Sequence, residues 1–68
     1  MKPGDLIKIL EKKGFKHVRT KGSHQIYRNY ENKKMIVVPF HKKDLLKGTL
    51  EAILKQAGIK RTELKDLL

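Results

Sequence analysis

The sequence has no cysteine and no tryptophan, two prolines, two phenylalanines, two tyrosines and seven acidic residues among 68. Without cysteine, neither a disulfide framework nor a thiolate zinc site can staple the fold, and a reducing compartment is expected. The scattered acids leave carboxylate-pair glycoside chemistry and magnesium clusters without ligands, and thiol nucleophiles are absent. No apolar run approaches the roughly 20 residues a membrane span needs. The start, Met1-Lys2-Pro3-Gly4-Asp5, lacks the apolar stretch of a secretion signal. A cytoplasmic protein with no membrane partner is therefore expected. With 38% hydrophobic residues, and with only about 60% of the unfolded surface buried in a domain of this size, a single thin-cored domain over residues 1–68 is expected. Such a core has no room for an engulfed cofactor, and none is expected.

Positive charge is what the chain has in excess. Seventeen Lys and Arg against seven acids leave a formal charge of +10, which attracts polyanions over several ångströms. Nucleic acid is the leading partner class. A membrane-binding protein would line one amphipathic helix with its basic residues, whereas here they are spread along the whole chain. An acidic protein is the third candidate.

Hydrophobic spacing divides the chain into five main elements. Leu6, Ile9 and Leu10 recur at helical intervals and predict a helix over residues 4 to 13, with Pro3 suited to its start and Gly14 to its end. Alternation then predicts a strand from Phe15, with Val18 and Thr20 on one side and His17, Arg19 and Lys21 on the other. Lys21-Gly22-Ser23 reads as a turn into a second strand, His24 to Tyr30, and Glu31-Asn32-Lys33 as a turn into a third, Met35 to Val38, ending at Pro39. Leu50, Ile53, Leu54 and Ala57 mark a second helix that Gly58 stops. Thr62, as N-cap, predicts a short last helix through Leu64, Leu67 and Leu68, with its leucines packed on the domain itself rather than offered to a partner. Three antiparallel strands flanked by helices predict an α+β sandwich of order α-β-β-β-α, with both helices on one face of the sheet.

His17, His24 and His41 are the candidates for acid–base chemistry. They lack helical metal-ligand spacing and neighbouring acids, so no metal site is expected. His24 follows Lys21-Gly22-Ser23, where small side chains allow a phosphate backbone to approach closely and cations stand near by. The same position also suits an ordinary exposed strand histidine. Alternation leaves open whether the core lies on the side of His24 and Ile26 or on that of Gln25 and Tyr27.

Gly22-Ser23-His24 with Tyr27, then Val38-Pro39-Phe40-His41, Lys47-Gly48-Thr49-Leu50 and Ile53-Leu54-Lys55-Gln56-Ala57-Gly58, together resemble the HicA family of toxin mRNA interferases. Gly14-Phe15 fits the same pattern, so the likeness covers nearly the whole chain. It departs at Phe40, where the family frequently has a basic residue. The resemblance implies a double-stranded-RNA-binding-domain-like fold, cleavage of messenger RNA, an acidic HicB-type antitoxin as partner, and a catalytic His24. RNA carries its own nucleophile, the 2′-hydroxyl, so a general base and cations suffice without a metal. The proton for the leaving oxygen has several candidate donors: His41, Tyr27, Lys21 or water, with Ser23 as further support. Lys21, Gly22, Arg28, Lys42, Lys43 and Lys47 are the expected RNA contacts, because they flank the His24 turn and the entrance to the second helix. The competing reading from the same charges is a non-catalytic RNA- or ribosome-binding module.

Overall fold

The computed structural model describes residues 1–67; Leu68, expected in the last helix, lies outside the described residues. Helix α1 spans Pro3–Lys12, one residue earlier than the spacing suggests. Pro3 occupies the first turn, where its missing N–H leaves no hydrogen bond unmade. Asp5 near the start and Lys12 near the end both complement the helix dipole. Its Leu6, Ile9 and Leu10 are fully buried. Gly14, in the left-handed region at φ 94°, then turns the chain into the sheet.

The sheet has strands β1 (Phe15–Lys21), β2 (His24–Asn29) and β3 (Met35–Pro39), antiparallel in the order β1-β2-β3. Directly opposed residues of an antiparallel pair share a face, and this settles what alternation left open. Gln25 faces Val38 and Tyr27 faces Ile36, and Tyr27, Ile36 and Val38 belong to the core with Leu6, Ile9, Leu10 and Phe15. The other face carries His24, Ile26 and Arg28, opposed by Pro39, Val37 and Met35. Both long helices therefore cover the Tyr27 side, leaving the His24 side open.

The alternation expected in β1 is broken by a bulge between His17 and Arg19. His17 pairs with Tyr27 and Arg19 with Ile26, so Val18 drops out of the ladder and the faces exchange. His17 and Thr20 thus share the helix-side face, joined by a 2.9 Å hydrogen bond between Nε2 and Oγ1. Arg19 and Lys21 stand with Lys16 on the open face. Placing His17 beside Arg19 and Lys21 was the error that strict alternation produces.

Helix α2 (Lys47–Ala57) buries Leu50, Ile53, Leu54 and Ala57, the expected stripe. It ends in a Schellman motif: the Ile59 N–H donates to the Leu54 carbonyl at 2.9 Å and Gly58 N–H to that of Lys55 at 3.2 Å, with Gly58 at φ 73°. The tail forms a 3₁₀ turn, Arg61–Glu63, followed by α3 (Leu64–Leu67). Thr62 is not an N-cap. Lys60 holds that position without a side-chain bond, because the turn winds one residue earlier through Glu63 N–H to the Lys60 carbonyl at 2.9 Å. Ion pairs Arg61–Glu51 at 2.6 Å and Lys13–Glu63 at 3.3 Å hold it there. Leu64 and Leu67 pack against the core.

Asn29, a residue that hydrophobic spacing does not single out, is the buried polar joint of the fold, only 4% exposed. Its Nδ2 donates to the Lys13 carbonyl at 3.1 Å, and its Oδ1 accepts from the Glu31 N–H at 2.9 Å. One amide thus ties the end of α1 to the β2–β3 turn. Removing it strands a partly buried carbonyl and an N–H. Asn29→Ala should destabilise the fold by about 1–3 kcal/mol in urea unfolding; an unchanged midpoint would show that water replaces both bonds.

Candidate functional site

The β1–β2 connection is a two-residue hairpin, Gly22-Ser23, closed by the pair Lys21 and His24. Among its central residues only Gly22 has positive φ, at 59°, the pattern of a type II′ turn. That geometry matches the right-handed twist of the strands and asks for glycine at the first position. It also sets Lys21 and His24 side by side on the open face, with Cβ atoms about 5 Å apart as in any such cross-strand pair. Pro39 flanks His24 on the other side.

The ladder does not stop at Pro39, because the Phe40 N–H donates to the Ser23 carbonyl at 2.7 Å. This bond brings the segment that carries His41, Lys42 and Lys43 against the His24 turn. The same segment is anchored to the beginning of the chain: Leu45 N–H donates to the Met1 carbonyl at 2.8 Å, and Lys2 Nζ to the Lys42 carbonyl at 3.0 Å. Lys47 opens α2 immediately afterwards. The hairpin turn, the 40–46 segment and the starts of α1 and α2 are therefore gathered at one end of the molecule, and of the expected contacts Lys21, Gly22, Lys42, Lys43 and Lys47 all lie there. Arg28 shares the open face but sits four residues along β2, about 13 Å from His24 at strand spacing. It pairs with Lys16 and stacks over Tyr30, 5.3 Å from the ring centroid.

His24 is exposed, and its imidazole makes no hydrogen bond or ion pair among the described residues. Both ring nitrogens are open to a substrate, with no carboxylate orienting them. Tyr27, weighed as a proton donor, is not brought to His24. It points into the core on the opposite face, edge-on to His17 at 5.5 Å. Burial, reinforced by the negative charge of Glu11, pushes its hydroxyl pKa upward. Ser23 lies in the turn next to His24, and His41 stands two residues beyond Pro39, at the same end of the molecule.

The distribution of charge is lopsided in a way that composition alone conceals. None of the seven acids falls in a strand. The ion pairs among described side chains join Lys2 to Asp44, Lys13 to Glu63 and Arg61 to Glu51. Lys16, Arg19, Lys21, Arg28, Lys42, Lys43 and Lys47 have no such partner among the described residues. Of these paired cations only Lys2 lies at the His24 end, while the others around His24 keep their field. Arg19 and Lys16 are members of this face that the expected contacts omitted; for Lys16 the cause is the bulge that seats it beside Arg19 and Lys21, which leaves no mark in the hydrophobic pattern. Among the described residues no cluster of His, Asp and Glu could hold a metal ion, and no helix is long and apolar enough to cross a membrane.

A family model described as HicA toxin of bacterial toxin-antitoxin matches residues 4–59, from the first turn of α1 to the residue that closes α2. No curated protein matches the chain.

Proposed function

The chain belongs to the HicA toxin family, and so is a toxin of a bacterial toxin–antitoxin system with an antitoxin as its partner; from that premise we propose that it is a metal-independent endoribonuclease that cleaves messenger RNA in the cytoplasm. The observation that carries the reading is the pairing of an exposed His24 with Lys21, amid Arg19, Lys42, Lys43 and Lys47, none of which has an ion-pair partner among the described residues. His24 takes the proton of a ribose 2′-hydroxyl, and the freed oxygen attacks the adjacent phosphorus. The bond from phosphorus to the 5′-oxygen breaks, and that oxygen leaves with a proton from His41, Lys21 or water. The products are a 2′,3′-cyclic phosphate and a 5′-hydroxyl end. Lys21 and Arg19 stabilise the charge that builds on the phosphorane oxygens. Lys42, Lys43, Lys47 and, further along the face, Arg28 hold flanking phosphates, while Gly22 lets the backbone approach the turn. Leu64 and Leu67 pack on the same core as the matched region, which supports reading residues 1–68 as one domain.

An acidic HicB-type antitoxin suits this arrangement, because covering the unneutralised cations and His24 together silences so small an enzyme. The test is to incubate the purified chain with RNA in excess EDTA, with and without an acidic antitoxin. Cleavage should persist in EDTA, leave cyclic-phosphate ends, stop when the scissile 2′-hydroxyl is replaced by hydrogen, and stop when the antitoxin is added. RNA that is bound but left intact would favour the non-catalytic binding module. Cleavage abolished by EDTA would overturn the mechanism.

A further inference from the structure

Beside the His24 turn lies a cleft of about 580 Å³, lined by Lys2, Pro3, Gly4, Asp5, Lys8, Phe40, His41 and Lys42. Its volume falls within the range of about 300–1,000 Å³ typical of small-molecule sites. The cleft is largely apolar in its walls, and its rim carries Lys8 and Lys42 together with the carboxylate of Asp5. Phe40 contributes an aromatic ring that is 46% exposed, in a chain otherwise poor in aromatics. The cleft adjoins the His24 turn through Phe40, which lines it and whose N–H is bonded to the carbonyl of Ser23, the residue before His24.

We propose that this cleft is a nucleobase subsite, which takes one unstacked base of a single-stranded RNA next to the scissile phosphate. The inference rests on the ribonuclease reading and adds to it the form of the substrate and a residue that reads it. Phe40 offers its face for stacking, an interaction open to every base. Lys8 and Lys42 match the phosphates on either side by charge. Asp5 is the selective element: an ionised carboxylate can only accept, so it favours cytosine, whose N4 amine offers two N–H donors, over uracil or thymine, whose one edge donor, N3–H, lies between two carbonyl oxygens that repel the carboxylate. A duplex cannot fill the site without unpairing, and this makes single-stranded segments the preferred substrate. Asp5 also stabilises the start of α1 through its charge, so its replacement is best made with asparagine, which keeps the shape, and read as the ratio of oligo(dC) to oligo(dT) binding, because loss of a charge shifts both equally.

The experiment measures binding of pentameric oligo(dC), oligo(dT) and an abasic pentamer, none of which a 2′-hydroxyl mechanism can cut. Oligo(dC) should bind more tightly than oligo(dT), and both more tightly than the abasic strand. Phe40→Leu should weaken the base-bearing pentamers by about 10-fold and leave the abasic one unchanged, while Phe40→Tyr restores binding. Asp5→Asn should erase the preference for oligo(dC). Equal binding of base-bearing and abasic strands overturns the subsite, and so does a Phe40→Leu variant with wild-type affinity. Equal affinity of the wild-type chain for oligo(dC) and oligo(dT) removes the role of Asp5. Failure of every strand to bind would instead refute the nucleic-acid reading on which the subsite rests.

Discussion

Replacing His24 with alanine should lower the rate of RNA cleavage by about 10²- to 10⁴-fold, the usual cost of losing a general base. The same change should leave the fold intact, because the imidazole is exposed and bonds to nothing among the described residues. RNA affinity should fall by no more than the worth of one neutral hydrogen bond, about 1 kcal/mol. A large loss in turnover with a small loss in binding is what separates an enzyme from a binding module. The measurement is single-turnover cleavage and equilibrium binding on the same RNA, with growth inhibition in cells as a third readout. His41→Ala belongs beside it, since a partial loss there identifies the proton donor for the leaving oxygen. Tyr27→Phe and His17→Ala serve as controls, because both side chains lie on the helix side of the sheet. A His24→Ala protein that cuts RNA at the wild-type rate would falsify the assignment of the base.

RNA binding should weaken roughly 100-fold when monovalent salt rises from about 50 to 200 mM. The figure follows from about five cation–phosphate contacts on a single strand, each contributing about −0.7 to the log–log slope and giving a total near −3.5. The side chains proposed to supply it are cations without an ion-pair partner among the described residues. Lys21, Lys42, Lys43 and Lys47 gather at the His24 end, and Arg19, Lys16 and Arg28 continue along the open face. Removing Arg19 and Lys21 together should flatten the slope by about 1.4. Removing Lys13, which is paired with Glu63, should leave the slope unchanged. An affinity indifferent to salt would mean that the cations serve something other than a polyanion.

Much of this was legible in the sequence, for identifiable reasons. The apolar stripes of α1 and α2 follow helical spacing, and Gly58 stops α2 where it is needed. The hairpin at Gly22-Ser23 and the strands around it follow from turn chemistry and alternation. Three things were not legible. Bulges depend on how two strands fit rather than on one strand's pattern, so the position of His17 was misjudged. Which face of β2 is buried is decided by the helices and not by the strand, whose two faces each carry one large apolar residue, Ile26 and Tyr27. Asn29 looks like any turn-forming residue until the end of α1 is brought beside it. The geometry of the candidate site was half legible: the His24 turn follows from local residues, but its union with the 40–46 segment and the start of α1 needs bonds across the fold, such as Phe40 to Ser23 and Leu45 to Met1.

The bulge in β1 also bears on how this protein behaves at high concentration. β1 is an edge of the sheet, and an edge strand offers unpaired backbone groups to any neighbouring chain, including another copy of itself. Natural edges resist such pairing by twisting the strand with a bulge and by lining it with positive charge. β1 does both, through the irregularity at Val18 and through Lys16, Arg19 and Lys21. The same cations that are proposed to meet a polyanion therefore also repel a second copy of the chain, guarding this edge of the sheet against edge-to-edge aggregation.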